Sequence, residues 1–251
     1  IPYLKKMRVP AKISIESFYY GLGYGILPFE ESAGTRKNFN RRQTMEYERR
    51  QYLDELTRKK DNGRVKVVTG LRRCGKSYLL FNLYYNRLLE SGVQEDQIIT
   101  LALDEIDNAR YRNPFELNSY VKERIKDRKR RYYVFLDEIQ FVLTVPNPYV
   151  DDPEAKLTFI DVVLGLMKIP NVDVYVTVSN SKMLSSDILT QFRDRADEIR
   201  VYPLSFAEFY EHYQDDKRGA WQDYYTYGGM PLVWTFETHE ERSSYLKDLF
   251  S

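Results

Sequence analysis

Gly70-Leu71-Arg72-Arg73-Cys74-Gly75-Lys76-Ser77 satisfies the spacing G-x-x-x-x-G-K-[ST] at every constrained position. Glycines at the two ends let the backbone turn so that successive N–H groups face the β- and γ-phosphates of a nucleotide. Lys76 adds a mobile positive charge there, and Ser77 offers a hydroxyl to Mg²⁺. The nucleotide-binding stretch would run from Gly70 through Leu71, Arg72, Arg73, Cys74, Gly75, Lys76 and Ser77 to Tyr78. A second chemical group follows at a distance. Tyr132-Tyr133-Val134-Phe135-Leu136 is a continuous apolar run that ends in Asp137-Glu138. Mg-nucleotide hydrolysis needs such a pair: Asp137 to hold the hydrated metal, and Glu138 to orient the attacking water. Alone, an apolar run ending in two acids is a weak signal; after a phosphate loop it is a strong one.

These residues need elements to place them. Arg64-Val65-Lys66-Val67-Val68-Thr69 reads as a strand entering the loop, and Tyr78 to Tyr85 continues from it as a helix with a broad apolar face, which puts a helix dipole at the anion site. Further strands are expected at Gln97–Leu103, Tyr132–Leu136, Val172–Val178 and Glu198–Leu204, with helices at 46–56, 114–126 and 159–167. Strands alternating with helices predict an α/β fold with a parallel sheet covered on both faces. Asp104 and Glu105, at the C-terminal end of the second strand, belong either to the outer part of the site or, the favoured reading, to a cap for the helix at 114–126. The fourth strand ends in Ser179-Asn180-Ser181. Asn180, with Ser179 second, is the candidate to touch the γ-phosphate and the attacking water, and a helix N-cap is the competing role.

The balance of 38 basic and 37 acidic side chains leaves a net charge of +1, so no global field points to nucleic acid or an anionic membrane. The basic run Lys122 to Arg131 is read as a solvated helix C-terminus in preference to a nucleic-acid patch. Cys74 is the single cysteine and suits a reducing cytosol; a tolerated small side chain is the favoured reading over a reactive thiol. There is no secretory signal and no apolar run of about 18 residues, which predicts a cytoplasmic protein without a membrane span. The Pro-rich stretch Val145 to Pro153 reads as a mobile surface segment near the site. His212 and His239 do not suggest a metal site. Residues 1–44 read as an N-terminal extension, with the functional domain opening near Met45.

Five motifs stand in order: Gly70 to Ser77, Leu136-Asp137-Glu138-Ile139-Gln140, Ser179 to Ser185, Pro203-Leu204-Ser205-Phe206-Ala207-Glu208-Phe209 and Tyr227-Gly228-Gly229-Met230-Pro231. Together they resemble the prokaryotic predicted ATPases of the AAA superfamily, over residues 45 to about 233. The resemblance implies a three-layer P-loop domain (45–209) with sheet order 5-1-4-3-2, then a small helical lid and the start of a further C-terminal region (210–251). It implies ATP and Mg²⁺ as cofactors, with Lys76, Glu138 and Asn180 as catalytic residues and Ser77 and Asp137 at the metal. Arg195 best matches the position of an arginine delivered to a neighbouring copy's γ-phosphate, which would make the protein a homo-oligomer; a surface salt bridge to Asp194 or Asp197 is the alternative. A protein partner through the expected C-terminal domain is also implied. Two positions depart from the usual pattern: Val178 replaces a glycine beside the sensor, and Asp194 replaces one before Arg195. A nucleotide-gated switch with negligible turnover is the competing reading, and a DNA-associated ATPase rests on analogy alone.

Overall fold

The structure, a computed structural model, describes residues 47–179, 190–192, 194–213 and 216–250, all within one compact unit spanning 43–251. The expected N-terminal extension lies outside the described residues. Five parallel strands form the central sheet: β1 (Val65–Gly70), β2 (Ile98–Ala102), β3 (Tyr132–Asp137), β4 (Val172–Thr177) and β5 (Ala196–Val201). Their spatial order is 2-3-4-1-5, the predicted order read from the other edge. β1 lies between β4, with Val68 level with Thr177, and β5, with Gly70 level with Val201. β3 lies beside β4, with Leu136 level with Val176, and beside β2, with Ala102 level with Asp137. The chain leaves β1 and returns three positions away in β2. Gly70, Asp137 and Thr177 therefore meet at the carboxyl ends of the strands, where the crossovers part, the usual place for a ligand in such sheets.

Alternate residues of each strand feed opposite layers. Val65, Val67, Val134, Leu136, Val174 and Val176 point into one core with helices Pro114–Arg124 and Phe159–Met167. Val68, Tyr133, Phe135, Tyr175, Ile199 and Val201 point into the other. That second layer is closed by helix Arg50–Lys59 and by the helix that begins at Lys76, which is α-helical over Lys76–Tyr78, π-helical over Leu79–Tyr84 and α-helical again over Tyr85–Glu90. Leu79, Leu80 and Tyr84 are fully buried beneath it, each such side chain contributing about 1.5–3 kcal/mol on removal from water. Within this layer Lys66 and Asp173 form a buried ion pair, Nζ to Oδ1 2.6 Å, and Asp173 also accepts from the Tyr175 hydroxyl at 2.8 Å and the Asp61 N–H at 2.9 Å.

Several local expectations change. The helix at 114–124 is capped by Asn113, whose side chain accepts from the Phe115 N–H at 2.9 Å, with Pro114 at its first turn; Asp104 and Glu105 cap nothing there. That helix ends at Arg124, inside the basic run, whose Lys122 and Arg124 lie in its last turn. Arg130 instead makes a two-pronged contact to Asp96 (2.7 and 2.6 Å), and Arg131 reaches Asp61 (2.6 Å) and the Pro170 carbonyl (2.6 Å). The Pro-rich connection carries a short antiparallel ribbon, Val145–Pro146 with Lys156–Leu157. After β5, a third apolar cluster joins Tyr47, Leu204, Phe209, Ala220, Met230, Val233, Trp234 and Tyr245 into a small helical layer. Its helices are Phe206–Tyr210, Lys217–Tyr227 and His239–Phe250. Here the aromatic C-terminal stretch packs on itself, Phe209 and Trp234 having ring centroids 4.2 Å apart. Among the described residues no helix is long and apolar enough to cross a membrane.

Candidate nucleotide site

β1 ends at Gly70 with φ 143°. A Cβ there would collide with the carbonyl oxygen of Val201 on β5, so the close approach of the two strands and the exit from the sheet both require glycine. Arg73 (φ 63°) and Gly75 (φ 97°) take left-handed conformations that complete the turn. The helix then starts at Lys76 without a side-chain cap, which leaves its first N–H groups for an anion. Lys76 is 4% exposed, and its Nζ donates to the carbonyl oxygens of Gly70 (3.2 Å) and Leu71 (2.9 Å). An ammonium has three N–H donors, so one remains for a phosphate oxygen. Cys74 is buried, its Sγ 3.5 Å from the Val201 carbonyl, and burial pushes the thiol's pKa up. The thiol is therefore a packing group in the loop and not a reactive one.

Asp137, the last residue of β3, is 6% exposed. Its Oδ1 accepts from the Ser77 hydroxyl at 3.0 Å and the Thr177 hydroxyl at 2.5 Å. Burial raises the carboxyl from 3.8 to about 6, although both hydroxyl donors pull the other way; the nearby charges of Glu138 and Asp104 add to the rise. Asp104 follows Leu103, whose N–H donates to the Asp137 carbonyl at 3.2 Å. Ser77 and Asp137 bring a hydroxyl and a carboxylate oxygen together. That pair of hard oxygen donors fits Mg²⁺, which keeps water and phosphate oxygens in its other positions. Among the described residues no cluster of three or more His, Cys, Asp or Glu could hold a metal instead.

Glu138 follows in a left-handed conformation, φ 51° and ψ 51°, which turns its side chain away from that of Asp137. Its N–H donates to Thr177 Oγ1 at 2.9 Å. Because the Thr177 oxygen accepts that bond, its own proton goes to Asp137: one buried hydroxyl orders both acids. The Glu138 carboxylate is held in turn, Oε1 accepting from Ser179 Oγ at 2.5 Å and Oε2 from Gln140 Nε2. Thr177 and Gln140 escaped the sequence reading as site residues. The available signal was the alternation Thr177, Ser179 at the tip of the strand beside the acids, which sets two hydroxyls on one face.

The structure brings Gly70 to Tyr78, Asp137, Glu138 and Ser179 to one end of the sheet. Asn180 lies outside the described residues. Arg195 is elsewhere: it precedes β5, and its carbonyl accepts from the N–H of Val65 at the start of β1, a strand of six residues or roughly 20 Å from the loop. It pairs with neither Asp194 nor Asp197 among the described residues, and Asp197 is taken by Arg64 at 3.2 Å. Asp194 has φ 62°, the conformation that favours glycine there. From the C-terminal helices, Tyr245 presents its ring 5.6 Å from the Arg73 guanidinium, and Pro231 faces Gly75.

A family model described as an AAA domain matches residues 62–210. The chain belongs to that AAA family. Its relatives include an uncharacterized protein of Haemophilus influenzae, 30% identical over 190 residues, which are 74% of this chain and 44% of the relative. A second, from Methanocaldococcus jannaschii, is 24% identical over 201 residues, 74% of this chain and 40% of the relative. This AAA chain therefore spans less than half the length of the curated relatives it matches. Among solved structures, the Walker-type ATPase of Pyrococcus abyssi is similar at TM-score 0.49 and 16% identity, over 75% of this chain and 65% of that one. The ADP form of the Aeropyrum pernix ORC2 protein gives 0.41 and 14%, over 64% and 48%.

Proposed function

We propose that this AAA protein binds ATP with Mg²⁺ at Gly70–Ser77 and hydrolyses it to ADP and phosphate. The observation that carries the reading is the 3.0 Å contact between Ser77 and Asp137, which joins a phosphate-type loop to the acid-bearing strand. In this reading the loop N–H groups and Lys76 hold the β- and γ-phosphates, and Ser77 and Asp137 hold the metal. Bound Mg²⁺ supplies charge neutralisation on the phosphate oxygens. Glu138 orients water for in-line attack, Thr177 keeps the two acids on separate tasks, and Asn180 senses the γ-phosphate. Arg195, at the far end of its own sheet, would act on the nucleotide of a second copy, so turnover depends on assembly. A cytoplasmic setting, where ATP is at hand and Cys74 stays a thiol, belongs to the same reading.

A second reading has a specific observation behind it. Glu138 is engaged on both carboxylate oxygens, which suits a nucleotide switch that turns over slowly and signals through a region beyond this chain. Phosphate release by the purified protein, compared with Lys76→Ala and Glu138→Gln, tests the proposal. Loss of ATP binding in the first and of turnover alone in the second supports it, and equal rates in all three overturn it.

A further inference from the structure

We propose that this chain carries a second anion site, separate from the phosphate loop, that takes the phosphate group of a small phosphate ester. A cavity of about 430 Å³ opens beside the amino ends of β2 and β3. Ile98 and Thr100 of β2, Tyr132 of β3, and Tyr120, Arg124 and Lys126 from the end of helix Pro114–Arg124 and the turn after it line the cavity. Its size is that of a small-molecule site. The phosphate loop leaves the carboxyl end of β1, so the length of a six-residue strand, roughly 20 Å, separates the two places.

The acceptors around this cavity are mostly spent. Arg130 covers both oxygens of Asp96, at 2.6 and 2.7 Å, and Asp127 Oδ1 takes the Lys129 N–H at 2.8 Å. The Thr100 carbonyl accepts from the Tyr120 hydroxyl at 3.3 Å, and the Tyr120 carbonyl accepts from Arg124 Nη1 at 3.1 Å. The donors are left over. Tyr132 is 2% exposed, and its hydroxyl oxygen accepts from the N–H groups of Lys126 (3.2 Å) and Asp127 (3.1 Å). The hydrogen of that hydroxyl finds no acceptor among the described residues. Neither Arg124 nor Lys126 has an ion pair among the described residues. The Arg124 guanidinium lies 3.5 Å from the centroid of the Tyr120 ring, which holds its plane in place and lowers the cost of ordering it on a ligand. β2 is an edge strand, and the Thr100 carbonyl faces away from β3, so the N–H of the same residue faces outward too.

A ligand that meets these donors must be negative and rich in acceptors. Arg124, Lys126 and Arg130 outnumber Asp96 and Asp127 on the lining, which gives the cavity the matching sign. Donors stand on three sides: the strand edge at Thr100, Tyr132 at the start of β3, and the two cations past the helix. A tetrahedral phosphate presents three oxygens to three directions, whereas a planar carboxylate presents two. Nucleic acid fits less well. Arg130 and Arg131 are tied to Asp96, Asp61 and the Pro170 carbonyl, and the Tyr120 ring on which a base would stack is covered by Arg124.

Phenyl phosphate serves as the probe, followed by the broadening of its phosphorus NMR signal on titration with the whole chain at constant ionic strength. Saturable binding is expected, and it should persist in Lys76→Ala, which removes the charge of the phosphate loop. Arg124→Gln and Lys126→Gln change exposed side chains, so the fold is kept, and each should weaken binding roughly tenfold. Tyr132→Phe should weaken it as well, and benzoate should compete poorly. Absence of saturable binding overturns the proposal, as does binding that Lys76→Ala removes and that Arg124→Gln and Lys126→Gln leave unchanged. Benzoate competing as well as phosphate would overturn the assignment to a phosphate group. Displacement of the probe by a short single-stranded oligonucleotide would overturn the small-ligand reading in favour of a nucleic-acid surface.

Discussion

Replacing Asp137 with Asn should make the nucleotide-free protein more stable while removing its use of Mg²⁺. The asparagine keeps an Oδ1 for the Ser77 and Thr177 hydroxyls and removes the charge that burial opposes. A rise of the carboxyl from 3.8 to about 6 corresponds to about 3 kcal/mol of stability withheld by the ionised form at neutral pH. The amide brings N–H donors into the same buried corner, so a net gain of about 1–3 kcal/mol is expected. The sign follows from proton binding. Between the unfolded and folded pKa values the native state holds more of the proton than the unfolded chain, so this group makes stability fall as pH rises from about 4 to about 6, with no further change above. Asp137→Asn lacks that slope. Urea unfolding followed by far-UV circular dichroism should show the variant's advantage growing between about pH 5 and about pH 7.5. Added Mg²⁺ with ATP should then stabilise the starting protein and not the variant. A variant less stable than the starting protein at about pH 7.5, or an advantage that does not change with pH, would refute the argument.

Three further outcomes are expected. Lys66→Met strands the buried Asp173 carboxylate and should cost about 3–5 kcal/mol in urea unfolding, with Lys66→Met/Asp173→Leu recovering much of it; equal losses in the single and double variants would count against the buried pair. Cys74, 1% exposed with its thiol pushed up by burial, should resist iodoacetamide in the native protein and react on unfolding, and prompt native labelling seen by mass spectrometry would contradict this. At Gly229, where a Cβ would collide with the Leu204 backbone, alanine should loosen the C-terminal aromatic cluster, detected as a lowered Tm; an unchanged Tm would show that the contact yields without cost.

The sheet was legible where β-branched runs are short, bounded and buried on both faces, as Val65–Gly70 and Val172–Thr177 are. Boundaries moved where local chemistry outweighed pattern. Glu46 to Arg49 reads as helix by periodicity, yet Arg49 has φ 50° and its guanidinium reaches the Tyr202 carbonyl at 2.5 Å, a contact 153 positions away that delays the helix to Arg50. Asn113 took the capping role because Pro114 fixes the first turn immediately after it. In the site, Gly70 to Ser77 and Asp137-Glu138 are spelled out by spacing. Thr177 is not, because its role depends on the β3–β4 register, which brings a strand-end hydroxyl level with two acids 39 and 40 positions earlier. Arg195 shows what a single chain does not contain: the role expected of it is on a neighbouring copy's nucleotide, and the parallel pairing of β1 with β5 sets it at the other end of its own sheet from the phosphate loop.

In the function proposed above, Gly70–Ser77 and Asp137-Glu138 form one Mg-ATP site in which Glu138 serves the attacking water. Single-turnover hydrolysis of γ-labelled ATP by Glu138→Gln, with ATP affinity measured on the same sample, tests it most directly. Affinity within a fewfold of the starting protein is expected, with phosphate release slowed by roughly a hundredfold or more. Unslowed release in a variant that still binds ATP would contradict it.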